Sequence, residues 1–238
     1  TPPVMTLNGA DEITTEAGKI FIDPGAKAKD SIDGDLLVTA VSNVDTTRLG
    51  TYSITYKSQD KSRNTSRITR KVTVIDTTGP LITLTGSQTV QLQRGSIYKE
   101  QGAIARDFID GVVPVTISGT VDVNKSGSYE LTYSSVDRSG NKATEVKRIV
   151  IVNDTVDPIV KLTGPSKVTL EAGDKYVEQG ATAEDLSDNI SEILITGQVN
   201  NLVVGTYFLT YTAFDSDGNS SSQVRTIEVV DTTAPTLT

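Results

Sequence analysis

Internal repetition limits what this chain can fold into more than any other feature of it. Val4-Met5-Thr6-Leu7-Asn8-Gly9 recurs as Leu81-Ile82-Thr83-Leu84-Thr85-Gly86, and again as Ile159-Val160-Lys161-Leu162-Thr163-Gly164. Sixteen residues beyond each closing glycine stands Gly25, Gly102 or Gly180, and five further on Asp30, Asp107 or Asp185. A tyrosine follows after 22 more (Tyr52, Tyr129, Tyr207) and an aspartate eight after that (Asp60, Asp137, Asp215). Each copy closes on an Asp-Thr linker at Asp76, Asp154 or Asp231. Copies spaced 77 to 78 residues apart with almost no insertions turn 238 residues into three small domains, where length alone suggests one or two. The implied boundaries are 1–76, 77–154 and 155–231, with 232–238 opening a further copy. Thr1-Pro2-Pro3 and the stretch from Asp231 onward read as linkers running into neighbours.

Each copy reads as all-β. Segments such as Tyr129-Glu130-Leu131-Thr132-Tyr133 and Ile149-Val150-Ile151-Val152 are short, β-branched or aromatic, and bounded by Gly, Asn and Asp. No helical period persists for three turns. About seven short strands per copy make a small antiparallel sandwich. Gly50-Thr51-Tyr52, Gly127-Ser128-Tyr129 and Gly205-Thr206-Tyr207 match the tyrosine corner of immunoglobulin-like sandwiches. Two residues on, Ile54, Leu131 and Leu209 occupy the place of the second immunoglobulin cysteine and share a face with the flanking tyrosines. Asp137-Arg138-Ser139-Gly140-Asn141 has hairpin chemistry leading into the last strand.

These elements together resemble the bacterial immunoglobulin-like repeats of cell-surface proteins, a domain-of-unknown-function family akin to hyaline-repeat modules. They are the Asp-Thr-x-Pro start, the Gly-Ala-x-Ala-x-Asp loop, Gly-x-Tyr-x-x-x-Tyr and Asp-x-x-Gly-Asn, and they cover essentially the whole chain three times. The resemblance implies a serially repeated, extracellular β-sandwich of adhesins, surface-layer proteins or secreted polysaccharide enzymes, and no activity. Two departures stand out: Arg63 replaces the hairpin glycine in the first copy, and Asn189 replaces the glycine of an Asp-Gly turn in the third.

Composition narrows the chemistry. Histidine and cysteine are absent, which removes the usual general base, thiol nucleophiles, disulfides and soft metal sites. A net charge of −8 has the wrong sign for nucleic acid, and 5% aromatics without Trp is thin for base stacking. No apolar run reaches the roughly 18 residues of a spanning helix, and no signal peptide opens the chain. Nucleophile elbows, phosphate loops and zinc helices are missing from the sequence. A carboxylate pair for glycoside hydrolysis needs a cleft that so small a sandwich has little interior to form. The chain is therefore read as non-catalytic.

The repeated acids carry the functional signal. Asp30, Asp33, Asp60 and Asp76 recur as Asp107, Asp110, Asp137 and Asp154, then as Asp185, Asp188, Asp215 and Asp231. In an immunoglobulin-like topology the two acidic loops lie together where the chain enters the domain. Asp76 is thus delivered to Asp107, Asp110 and Asp137, and Asp154 with Asp157 to Asp185, Asp188 and Asp215. Calcium, which takes six to eight oxygen ligands, would neutralise such a cluster, with Asn141 and Asn219 as candidate amide ligands. The competing reading is that aspartate at turn starts caps backbone N–H groups and needs no metal. A site at Asp30, Asp33 and Asp60 would lack its linker residue.

Tyr52 with Tyr56, and their counterparts, read as core and not as a sugar platform. Lys and Arg are expected on solvated faces. Together these traits describe a spacer: a stalk segment of a larger secreted or cell-surface protein, an extended rod on the order of 100 Å stiffened by calcium. Its partners are then neighbouring repeats, with lateral copies in a surface layer. The alternative is a module binding a glycan or host protein, or an accessory region of a polysaccharide-active enzyme. A binding copy should carry exposed aromatics that its sisters lack, and Phe108 and Phe214 are the candidates.

Overall fold

The structure, a computed structural model, describes residues 1–185 and 190–235. Those residues form strands, turns and loops without a helix, so none has a helix long and apolar enough to cross a membrane. The first copy contributes β1 (Val4–Leu7), β2 (Glu12–Glu16), β3 (Ala26–Asp30), β4 (Gly34–Leu36), β5 (Val38–Ser42), β6 (Gly50–Gln59) and β7 (Thr65–Ile75). The second repeats this set as β8 (Leu81–Leu84), β9 (Thr89–Gln93), β10 (Ala103–Asp107), β11 (Gly111–Val113), β12 (Thr116–Ser118), β13 (Gly127–Ser134) and β14 (Val146–Asn153). The third supplies β15 (Ile159–Leu162), β16 (Lys167–Glu171), β17 (Ala181–Glu184), β18 (Ile190–Thr196), β19 (Gly205–Asp215) and β20 (Ser220–Val230).

In the first copy a three-stranded sheet, β1-β3-β4, faces a four-stranded one, β2-β7-β6-β5; in the third, β15-β17 faces β16-β20-β19-β18. Neighbouring strands run antiparallel with one recurring exception. The second strand of each copy pairs parallel with the last: β2 with β7, β9 with β14, and β16 with β20. By contact density the chain divides into two compact units. One is residues 1–87 with 101–118 and 132–147; the other is 88–100 with 119–131 and 148–238.

Strand alternation selects the core. Along β6, Ile54, Tyr56 and Ser58 point inward and are buried, while Thr51, Ser53 and Lys57 are exposed. Ile54, Leu131 and Leu209 fill the position of the missing cysteine and are all buried. The tyrosine corner is present three times: Tyr52, Tyr129 and Tyr207 donate their hydroxyls to the carbonyls of Arg48, Lys125 and Val203 at 2.9, 2.7 and 2.8 Å. Tyr56, Tyr133 and Tyr211 are buried core, as their spacing suggests.

The basic residues are not all on solvated faces. Arg70, Arg148 and Arg225 are 0%, 1% and 0% exposed, one in each copy at the same strand position. A buried guanidinium is tolerated only when paired and fully hydrogen-bonded, and Arg70 meets both conditions. Its Nη1 donates to Asp23 at 2.5 Å and Tyr56 Oη at 2.9 Å. Nη2 donates to the carbonyls of Asn8 and Gly25, and Nε to that of Ala10, so all five N–H groups are used. Arg225 repeats this with Glu178, Tyr211 and the carbonyls of Thr163, Gly180 and Pro165. Arg148 pairs with Glu100, which also accepts from Tyr98. Tyr56 and Tyr211 in turn donate to Asp23 and Glu178, respectively. Burial and the Asp23 carboxylate push the Tyr56 hydroxyl up to about 12.

Arg63 shows why its sister positions are glycine. Its φ is 69°, against 89° for Gly140 and 96° for Gly218, so the hairpin needs a left-handed residue and the first copy uses a side chain there.

Three outcomes follow. Arg70→Met leaves Asp23 and three carbonyls without their donor and should destabilise the first copy by about 3–5 kcal/mol, seen by urea titration followed by circular dichroism. Arg63→Gly should stabilise the same copy by about 1 kcal/mol in that assay. Burial pushes Asp23 and Glu178 up, but hydroxyl, backbone and arginine donors outweigh it and hold both below their ordinary values. The unfolded chain therefore takes up protons first. The unfolding midpoint should be flat above about pH 5 and fall steadily below about pH 4.

Candidate metal centre

Each copy hands its chain on through a linker gripped by an acid or amide at the end of its second strand. Glu16 accepts hydrogen bonds from the N–H of Thr77 and the hydroxyls of Thr77 and Thr78 at 2.7–2.9 Å. Gln93 does the same for Thr155, and Glu171 for Thr232 and Thr233. Donation from the Thr77 backbone is the leading cause that holds the Glu16 carboxyl below its usual value. The clamp fixes where the next residues start, and so where the linker aspartate points. It escaped the sequence reading, although Glu16-Ala17-Gly18, Gln93-Arg94-Gly95 and Glu171-Ala172-Gly173 recur in register.

The linker aspartates then meet the acidic loops of the following copy. Asp76, Asp107 and Asp137 each present a carboxylate oxygen within 4.8 Å of the other two, and so do Asp154, Asp185 and Asp215. Asp107 closes β10, and its Oδ1 accepts the N–H groups of Ile109 and Asp110 at 2.8 and 2.9 Å. Asp137 opens the hairpin before β14, where Asn141 donates its N–H to Oδ1 and its Nδ2 to Oδ2 at 2.7 and 2.9 Å. Asp215 and Asn219 repeat this hairpin geometry. Asn141 and Asn219 also donate Nδ2 to the linker carbonyls of Asp76 and Asp154, both at 3.2 Å. Their amide nitrogens, and not their carbonyls, face the acids.

The remaining predicted acids are placed otherwise. Asp110 is outside the group of three; it accepts the Arg138 N–H at 2.7 Å and lies 3.8 Å from its guanidinium. Asp33 likewise accepts from the Lys61 N–H at 3.0 Å. Asp157 is exposed and not part of the second group among the described residues, and Asp188 lies outside those residues. In the first copy Asp30 and Asp60 are buried, with Asp30 Oδ1 accepting from Ile32 and Asp33, and Asp60 accepting twice from Asn64. The described contacts of Asp30 and Asp60 are thus the capping bonds of turns. One oxygen of Asp30, Oδ2, is buried without a hydrogen-bond partner.

Capping accounts for some of the oxygens at the junctions but not for the convergence. Two carboxylates at this separation repel by roughly 3 kcal/mol at an effective dielectric of about 20, before solvent screening. Burial, and then the charges of Asp107 and Asp137, raise the Asp76 carboxyl above its usual value, against donation from Ser139 and Thr78. Hard oxygen donors without nitrogen or sulfur suit calcium or another hard cation. At the first junction, Asp76, Asp107 and Asp137 would hold the ion.

The first linker also depends on glycine. A Cβ on Gly79 would fall 2.1 Å from the Lys142 carbonyl, so only glycine lets the chain lie against the hairpin.

A carboxyl raised by folding stabilises when protonated, and that contribution is lost as pH rises through the folded value. Asp76→Asn should therefore raise the melting midpoint in chelator near pH 7. The gain should vanish toward about pH 3, where wild-type Asp76 is itself neutral; differential scanning calorimetry at the two pH values checks this.

The profile for the bacterial surface protein, Ig-like domain, matches residues 5–74, 82–152 and 160–229. Hyalin of Strongylocentrotus purpuratus is 29% identical over 260 residues, covering all of this chain and 22% of that protein. An uncharacterized 81.3 kDa protein of Acholeplasma phage L2 is 30% identical over 179 residues, covering 72% of the chain and 24% of the relative. The serine-rich adhesin for platelets of Staphylococcus aureus (strain MSSA476) is 24% identical over 182 residues, covering 70% of the chain and 8% of the relative. The chain thus spans under a quarter of the length of each of these relatives. Among solved structures, a protocadherin gammaB7 EC3-6 structure aligns at 15% identity and a TM-score of 0.40, covering 96% of this chain and 74% of that one. With three profile matches accounting for most of its length, the chain belongs to the Ig-like domain family of bacterial surface proteins, carried here as three tandem repeats.

Proposed function

We propose that this chain is a non-catalytic structural segment of a larger secreted or cell-surface protein, a spacer of the adhesin or surface-layer kind, with calcium stiffening its internal junctions. The domains in this reading run 1–76, 77–154 and 155–231. The observation that carries it is the delivery of Asp76 and Asp154 from one repeat into the acid pairs Asp107/Asp137 and Asp185/Asp215 of the next. A hard cation there converts repulsion between carboxylates into a tie between repeats, using one residue from before the junction and two from after it. Water would complete the coordination that calcium needs. Membership of a bacterial surface-protein family supports an extracellular location and an absence of catalytic machinery.

A second reading rests on the third repeat. Leu194, Phe208 and Val224 are exposed on the outer face of its four-stranded sheet. The register places Thr39, Ser53 and Thr69 there in the first repeat, and Thr116, Glu130 and Lys147 in the second. An apolar, partly aromatic face in one copy alone is what a site for a glycan or host protein would add to a spacer.

Thermal unfolding in chelator, in millimolar calcium and in magnesium tests the first reading. A cation at 100 times its dissociation constant should add about 2.7 kcal/mol per site, and magnesium should not reproduce the shift. Asp107→Asn and Asp185→Asn should each remove one site's share. A midpoint unmoved by calcium would return the acids to turn capping. Glycan-array binding abolished by Phe208→Ser would favour the second reading.

A further inference from the structure

The two internal junctions differ in what holds them apart from the acids. At the first, Phe108 lies over Gly18 of the preceding repeat: a Cβ built on Gly18 would fall 2.9 Å from three ring atoms. At the second, the residue corresponding to Gly18 is Gly95, whose Cβ position is open among the described residues. Among the described residues, a charge pair makes contact there instead. Arg94 Nη1 lies 3.4 Å from Asp217 Oδ2, joining the end of β9 to the hairpin between β19 and β20 across 123 residues of sequence. Both side chains are largely enclosed, 20% and 16% exposed.

The geometry is that of a prepared pair. The Arg94 side chain is anchored in its own repeat by Nε donating to the Asn124 carbonyl at 2.9 Å, which aims the guanidinium toward the next repeat. The Asp217 N–H donates to Asp215 Oδ1 at 3.0 Å, so the hairpin that carries the acid of the candidate metal centre also carries the latch. Neither partner recurs. Ala17 and Ala172 stand at the position of Arg94, and Ser62 and Ser139 at that of Asp217. Ser139 is used differently, donating its hydroxyl to Asp76 at 3.0 Å.

We infer that the second junction carries an ion-pair latch, Arg94–Asp217, that ties repeats 2 and 3 together without a cation, while at the first junction the Phe108 ring, 63% exposed, rests on the Gly18 backbone. This goes beyond the calcium reading, because the latch acts when calcium is absent. Ionic strength acts on the two differently: a charge pair weakens as the Debye length shrinks, an enclosed one less than an exposed one, whereas a ring against glycine does not. A chain with both kinds of junction loosens at one defined point when salt rises.

The chain has no cysteine, so introduced pairs are its only spin-label sites. Lys99→Cys with Gln223→Cys reports the second junction, and Lys57→Cys with Thr144→Cys the first. Distance distributions are recorded by double electron–electron resonance, all in chelator, at about 20 mM and about 500 mM sodium chloride. The expected result is a narrow distribution at both junctions in low salt, with the second alone broadening in high salt. Arg94→Ala should broaden the second junction already in low salt, and the exchanged pair Arg94→Asp with Asp217→Arg should restore it. A second junction equally narrow in wild type and Arg94→Ala at low salt, or equal broadening of both junctions with salt, would overturn the latch. Because every arm excludes calcium, its failure leaves the cation reading standing, and the reverse also holds.

Discussion

Placing an arginine at the centre of a sandwich of about 77 residues sets the terms for everything around it. So small a domain encloses few side chains, and a guanidinium among them is stable only if every N–H is met. Arg70 and Arg225 meet that condition by drawing in loop carbonyls that follow the first strand of the copy and precede the third, a carboxylate from the loop between the second and third, and a core tyrosine. The loop that precedes β3 or β17 is thereby pinned. Strand β3 starts from this fixed point and ends at Asp30, and β17 likewise ends one residue before Asp185, each acid belonging to the entry end of its domain. The core network and the acidic end are two ends of one strand.

The same logic explains how junction chemistry can be repeated without drift. Glu16, Gln93 and Glu171 hold the linker threonines from behind, and Asn141 and Asn219 hold the linker carbonyls from ahead. The aspartate between these grips has little freedom left, so its carboxylate reaches the acids of the next repeat despite the repulsion. Structure of this kind is costly in charge and useful only if something offsets the cost, which is the physical case for a cation at the junctions. Variation touches the grips only in Gln93 for glutamate and Val156 for threonine; outside them Phe108, Gly79, Arg94 and Asp217 each appear once and give each junction its own character.

Much of this was legible in the residue order. The 77–78-residue period, the tyrosine corner and the alternation of β6, β13 and β19 follow from local rules that link spacing to strand faces, and the structure has them. The left-handed hairpin position was also visible as Gly140 and Gly218, with Arg63 as the exception. The buried arginines were not recognised, although Arg70, Arg148 and Arg225 recur in register, because an arginine on a strand is by base expectation a surface residue. Only the enclosing loops, which bring Asp23, Glu100 or Glu178 to the guanidinium, make burial possible.

Residue order is enough to read the number of repeats, from the 77–78-residue period, and their all-β character and two acidic loops, from alternation and turn chemistry within a few residues. Tertiary structure decided which acids converge. Asp76 and Asp154 join the groups of three, whereas Asp110 turns to the Arg138 backbone and Asp157 stays exposed. All four read alike in sequence, as aspartates at turns or linkers. They are separated by where a neighbouring backbone N–H or carbonyl lies, and that is fixed by contacts 28 to 65 residues apart along the chain.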